Sequence, residues 1–287
     1  MFEVVAIYAY QILFSISIFI LISLGLAVIF GMMKVINLAH GEFIMLGALF
    51  CAQLAGAGVP LFLSIPLAGL IVGLVGIVGE RLVIRYLYGR VLDTLLATWG
   101  MSLLIVGAVT TFFGPQTAST PQDLGNISLG TFSISVYSLL MILLAFALLA
   151  ALYLVWRMTR AGLIVRTTMQ NAAMAQALGI DTDRVFMLTF GFGAALAGLT
   201  GAILVPLFGA SPTMGAFYIA KAFVTVIAGG PLPLTGTLAA SSLFGMIDGA
   251  VAYLTTSVLG EISVLFVAIL LLRFLPKGVT RGLKGRV

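Results

Sequence analysis

Apolar runs of about 20 residues recur along nearly the whole chain, and they constrain its fold more tightly than any other feature. A bilayer core about 30 Å thick is crossed by about 20 residues of α-helix. It holds no water to satisfy backbone polar groups, so a crossing segment must bond internally. Spans are predicted near 6–30, 41–57, 61–80, 94–113, 136–156, 187–208, 217–230, 235–256 and 261–275. Segment 217–230 is short and carries Lys221, which suits a half-helix. The expected fold is an all-α polytopic membrane protein with about eight to nine transmembrane helices, some broken or re-entrant, in a single transmembrane domain over 1–287. Composition agrees: 62% of residues are hydrophobic and 8% are charged, against about 25% charged in a soluble domain. Mean hydropathy is +1.24. A signal peptide or a lone anchor explains one such run, not a series of them.

The net charge of +5 does not point to nucleic acid, because the basic residues are grouped by position. Arg81, Arg85 and Arg90 follow the third span; Arg157, Arg160, Arg166 and Arg184 separate the fifth and sixth; Arg273, Lys277, Arg281, Lys284 and Arg286 end the sequence. Basic residues beside spans mark the cytoplasmic side. The loop 114–135 has only Asp123 as a charge and is expected outside. Nine spans then put the N-terminus outside and the C-terminus inside, and one re-entrant segment would change the side of the N-terminus.

Enzyme signatures are missing from the letters. There is no GxxxxGK[ST] phosphate loop, no HExxH and no EF-hand pattern. His40 is the only histidine and Cys51 the only cysteine, so neither a His- or Cys-based metal site nor a disulfide is expected. No Ser-His-Asp set assembles, and no catalytic residue is assigned.

The stretch KVINLAHGEF, 34–43, sets Lys34, Asn37, His40 and Glu42 between two apolar runs. Polar groups at depth face protein or a water-filled path, and irregular backbone there obeys the same condition. Asn37 to Gly41 are expected to break the helix. Asn37 and His40 would satisfy freed backbone groups, and Glu42 would stabilise a new helix N-terminus. The same break, with His40, is also a candidate lining of a translocation path. Lys34 is expected to snorkel to the cytoplasmic interface.

A second break, IAGGPLPLTGTLAASSLFG at 227–245, contains Gly229 and Gly230. Paired interruptions of this kind mark pathways in transporters built from repeats. Lys221 and Asp248 are further candidates: they either pair with each other, or Lys221 snorkels to the outer surface. Gly69/Gly73 and Gly245/Gly249 have the small-xxx-small spacing of close helix packing, within a bundle or across a dimer.

The segment 157–186 reads WRMTRAGLIVRTTMQNAAMAQALGIDTDRV. Asn171, Ala172, Ala173, Met174, Ala175, Gln176, Ala177, Leu178 and Gly179 are expected to form a short helix, N-capped by Asn171 and stopped by Gly179. Asp181, Thr182 and Asp183 then open the next helix. On these residues alone, an ordinary connector and a docking element for a partner protein both remain open.

This loop resembles the coupling loop of bacterial ABC-transporter permeases. GLAVIFGMMKVINLAHGEFIMLGA is similar to the N-terminal signature of the LivH-type permeases for branched-chain amino acids. RTTMQNAAMAQALGIDTDRVFMLTFGFGAALAGLTG and KAFVTVIAGGPLPLTGTLAASSLFG resemble that family's loop, sixth span and C-terminal break. Two departures stand out: Ala173 replaces a glutamate often seen in the coupling helix, and GGPLPLTG replaces a GGLGS-like break.

The resemblance implies a permease subunit of a binding-protein-dependent ABC importer in a bacterial or archaeal plasma (inner) membrane. A second permease subunit, alike or different, would complete the pathway. Two cytoplasmic ATPase subunits would carry ATP and Mg, with no cofactor on this chain, and an extracytoplasmic solute-binding protein would deliver the substrate. Residues 171–179 would be the ATPase-coupling element. Small neutral or zwitterionic solutes suit aliphatic walls, with branched-chain or hydrophobic amino acids first and urea or short amides as the rival, since urea permeases are closely similar. A stand-alone secondary transporter or channel is the competing class. A membrane-embedded enzyme is disfavoured by the lack of a clustered polar site.

Overall fold

The computed structural model describes residues 2–114, 117–120, 124–129, 132–275 and 278–280. Lys277, Arg281, Lys284, Arg286 and Asp123, which bear on the expected orientation, lie outside the described residues. Eleven α-helices are described: α1 (Phe2–Met33), α2 (His40–Gly56), α3 (Leu61–Leu82), α4 (Val91–Phe113), α5 (Val136–Met158), α6 (Arg160–Gln170), α7 (Ala172–Ala177), α8 (Thr182–Phe208), α9 (Met214–Gly229), α10 (Pro233–Leu254) and α11 (Ser257–Phe274). Each of the nine expected spans contains a helix. Seven helices (α1, α3, α4, α5, α8, α10 and α11) are long and apolar enough to cross a membrane. The α9 helix has 16 residues, about 24 Å of rise, which falls short of a full hydrocarbon core. This agrees with the half-helix expected there.

The described residues also include one pair of strands. Strands β1 (Asn126–Leu129) and β2 (Phe132–Ser135) pair antiparallel, Asn126 opposite Ser135, in the loop expected outside. Their NISL and FSIS segments alternate with period two, as a hairpin requires.

Exposure identifies the solvent. The α4 helix turns large apolar side chains outward, with Phe112 82% exposed, and α11 does the same with Phe266 and Ile269. Continuous apolar faces of this kind suit lipid. The chain is a multi-pass membrane protein.

Within the expected single domain the chain forms two compact, discontinuous units. One comprises 24–120 and 150–220. Its centre is the mutual packing of α2, α3 and α8, and glycine sets the spacing. A Cβ on Gly47 of α2 would land on the backbone of Gly198 in α8, and one on Gly201 would strike the Ile44 carbonyl. On the other side of α8, Gly69 and Gly73 of α3 lie against Leu199 and Ala195. Backbones this close gain dispersion contact that lipid tails cannot supply.

The second unit comprises 1–23, 121–149 and 221–287. In it α10 rides on α1, with Gly245 against Ile16 and Gly249 against Ile12. Tyr8 meets Tyr253 edge-on at 5.3 Å, and Phe19 meets Phe244 at 6.3 Å. Both small-residue pairs read from the sequence are therefore occupied inside the chain rather than left for a dimer.

Candidate functional site

The first break lies three residues earlier than expected. Helix α1 stops at Met33, and Lys34 takes φ +53°, the only left-handed non-glycine among the described residues. The irregular stretch is Lys34–Ala39, while His40 and Gly41 already belong to α2. Asn37 forms the turn that follows: its Oδ1 accepts from the Ala39 N–H at 3.1 Å, which leads the chain into the new helix. A residue from α4 completes the turn. The Thr98 hydroxyl accepts from the Leu38 N–H at 3.1 Å and lies 3.2 Å from the Ile36 carbonyl. Freed backbone groups are thus met by Asn37 and Thr98.

His40 is fully buried in the first turn of α2, where a Cβ on Gly25 would come within 3.0 Å of its ring. Gly41 touches the backbone of Gly215 near the start of α9. Glu42 occupies the third position of α2, near the helix's positive end. Ser102 of α4 donates to Glu42 Oε1 at 2.6 Å, while Oε2 is buried without a hydrogen-bond partner beside Gly215. The Asn37 amide nitrogen is likewise buried and unpartnered. Asn37, His40, Gly41 and Glu42 therefore form one buried polar knot, joined by Thr98 and Ser102, which the sequence did not single out. Threonine and serine on an apolar helix carry no local signal of what they will face.

The other candidates separate. Lys221 and Asp248, for which the sequence left pairing and snorkelling as alternatives, do not form an ion pair among the described residues. Lys221 Nζ lies 2.7 Å from Glu261 Oε1 on α11, with side chains 25% and 47% exposed. Asp248 instead accepts from the Ser15 hydroxyl of α1 at 2.8 Å. Gly245 and Gly249 bring α1 close to α10 here. At the second break Gly229 ends α9, and Gly230 follows in the left-handed region at φ +87°. The Thr280 hydroxyl donates to the Gly229 carbonyl at 2.6 Å. Pro233 then opens α10 at a position where no N–H is needed.

The 157–186 segment is a relay of capped helices. Thr159 caps α6 through the Gly162 N–H, Asn171 caps α7 through the Met174 N–H at 3.0 Å, and Asp181 caps α8 through the Arg184 N–H. Helix α7 ends in a Schellman motif. The Gly179 N–H reaches the Gln176 carbonyl at 2.9 Å, the Ile180 N–H reaches Ala175 at 3.0 Å, and Gly179 has φ +85°. Ala175 is the buried residue of α7, while Ala173, Met174 and Leu178 face outward, Leu178 with 70% exposed. Behind the helix, Gln176 Nε2 donates to Thr182 at 2.6 Å, and Arg85 pairs with Asp183 at 2.7 Å. Glu80, fully buried at the end of α3, accepts from the Tyr88 hydroxyl. Burial and this carboxylate push the Tyr88 phenol well above its ordinary range, which keeps it a donor.

A family model described as the branched-chain amino acid transport system / permease component matches residues 8–275. The high-affinity branched-chain amino acid transport system permease protein LivH of Escherichia coli is 28% identical, covering 92% of this chain and 91% of its own. The Pseudomonas aeruginosa permease protein BraD is 28% identical over the same shares. A probable LivH of Methanocaldococcus jannaschii is 25% identical over 92% of this chain and 89% of its own. No solved structure matches. With a match across all the described helices, the chain belongs to the family of permease components of branched-chain amino acid transport systems.

Proposed function

We propose that this chain is one permease subunit of a binding-protein-dependent ABC importer for branched-chain or other hydrophobic amino acids. The family match over 8–275 supports this, together with the substrate named for its relatives. The single structural observation that carries the coupling role is α7: six residues, capped at both ends, presenting Met174 and Leu178. An exposed apolar tip on a rigid mount is what a docking surface requires.

In this reading the basic ends of α3 and α5 lie in the cytoplasm, in the plasma (inner) membrane of a bacterium or archaeon. The C-terminus lies on the same side. Two ATPase subunits, which carry ATP and Mg, receive α7, and a second permease subunit completes the path. A solute-binding protein delivers substrate from outside. When the ATPases close, α7 moves as a unit with Thr182 and the start of α8. The glycine-spaced contacts of α8 with α2 and α3 pass that displacement to the polar knot at Asn37–Glu42.

The test is mass spectrometry of what co-purifies with the tagged chain after gentle extraction from its native membrane. Two ATPases, a second permease and a binding protein are expected. Recovery of the intact chain alone overturns the importer in favour of a stand-alone transporter. The co-recovered binding protein is then titrated with leucine and with urea; binding of urea alone replaces the amino acid as substrate.

A further inference from the structure

The unit built on α2, α3 and α8 carries an open groove of about 710 Å³. Its walls come from the end of α1, the middle of α3, the α5–α6 corner and the first turns of α8, and include Leu70, Leu74, Trp156, Leu188 and Phe192. They are almost wholly apolar, and Leu74 is 64% exposed. Such a surface matches a hydrocarbon chain, and three cations at its edge say which kind. Arg157 follows the lining Trp156, Arg160 precedes the lining Ala161, and Arg166 follows the lining Val165. The Arg166 Nε donates to the carbonyl of Gly162, another wall residue, at 3.2 Å, and Arg157 donates to the Tyr153 hydroxyl at 2.7 Å. Both guanidinium groups are therefore held in place by neutral acceptors. Among the described residues none of the three arginines has an acidic partner, whereas Arg85, Arg90 and Arg184 each face an aspartate. Helix α6 between them exposes Leu163 and Ile164 beside its charges, the pattern of a helix lying in the membrane interface.

We propose that this groove binds an anionic phospholipid, with one acyl chain along Leu70, Leu74, Leu188 and Phe192 and the headgroup phosphate at Arg157, Arg160 and Arg166. A phosphate matches the planar fork of arginine, and each basic residue at an anionic surface contributes about fivefold in affinity. The bound lipid braces the corner from which the α7 loop projects.

Trp156 reports on the site directly. The sequence holds two tryptophans, so in a Trp99→Phe chain the emission comes from the groove alone. The full chain is placed in phosphatidylcholine nanodiscs doped with phosphatidylglycerol or phosphatidylcholine brominated on its acyl chains. Brominated phosphatidylglycerol is expected to quench at a mole fraction roughly a hundredfold lower than brominated phosphatidylcholine, the product of about fivefold from each of the three arginines. The preference should fall by about fivefold for each of Arg157→Gln, Arg160→Gln and Arg166→Gln, and survive in the corresponding lysine variants. The lysine set also controls for folding. Equal quenching by both lipids, a preference unchanged in the glutamine variants, or no quenching at all would each overturn the proposal. The last outcome would mean that protein, not lipid, covers the groove.

Discussion

Ser102 of α4 donates a 2.6 Å hydrogen bond to Glu42 in the first turn of α2, and it is the carboxylate's sole side-chain donor among the described residues. A carboxyl group 5% exposed, with its second oxygen unpartnered, is expensive to hold in an apolar bundle. Its persistence so close to Gly41 and Gly215 ties the polar knot to the contact between the start of α2 and the start of α9.

Removing the donor exposes that cost. Ser102→Ala is expected to destabilise the detergent-solubilised chain by about 1–3 kcal/mol, because it strands a buried acceptor. Glu42→Gln, which can both donate and accept, should cost less. Combining Ser102→Ala with Glu42→Ala should give a loss smaller than the sum of the singles, as residues sharing one bond do. Additive losses in thermal unfolding would show that the two do not interact.

Glycine spacing predicts a sharper contrast within a single helix. Gly47→Val places a branched side chain where the Gly198 backbone lies, and it should abolish folded expression. Gly56→Ala, at the C-terminal end of α2 with nothing within 4 Å of its Cβ position, should be neutral or slightly stabilising. Fluorescence-detected size-exclusion of both variants checks this. Equal behaviour would argue against close α2–α8 packing.

What was legible in the sequence was whatever is written locally. Spans show as continuous apolar runs, and the α7 helix shows because Asn171 and Gly179 are cap residues at the right spacing. The first break was visible but displaced. Its true start, Lys34 in a left-handed conformation, is a residue with no preference for that region, whereas Asn37 acts as a turn former rather than as the break itself. The partners Thr98, Ser102 and Glu80 were not singled out, because a single polar residue on an apolar helix does not reveal which neighbour it faces. Ala39 illustrates the limit from the other side: it precedes α2 without any side-chain cap.

The Lys221–Glu261 pair can be separated from its alternative by charge reversal. Lys221→Glu and Glu261→Lys should each lower the yield of assembled protein, and the double reversal should restore much of it. Coupling should be about 1 kcal/mol or below, since both side chains retain exposure. Reversal of Lys221 with Asp248→Lys should give a smaller rescue, because Asp248 bonds to Ser15 and makes no direct ion pair with Lys221 among the described residues. Rescue by the Asp248 exchange and not by the Glu261 exchange would favour the Lys221–Asp248 pairing, one of the two alternatives read from the sequence.

The α7 relay yields the most direct functional prediction. Proline at 179 fixes φ near −65° where the chain needs +85°, and it removes the N–H that bonds to the Gln176 carbonyl. Both losses fall on the C-terminal cap of a six-residue helix, which is too short to survive without it. The spans lie elsewhere, so Gly179→Pro should insert and assemble while substrate-driven uptake falls to background. Asn171→Ala removes only the N-cap bond, at a cost of about 1 kcal/mol to the helix, and should leave partial uptake. Uptake and ATP hydrolysis are measured together in proteoliposomes holding the complete complex, with assembly checked by size-exclusion. Uptake at the parent rate from an intact Gly179→Pro complex would mean that motion does not pass through α7, and the docking surface would have to be sought elsewhere on the arginine-rich loop.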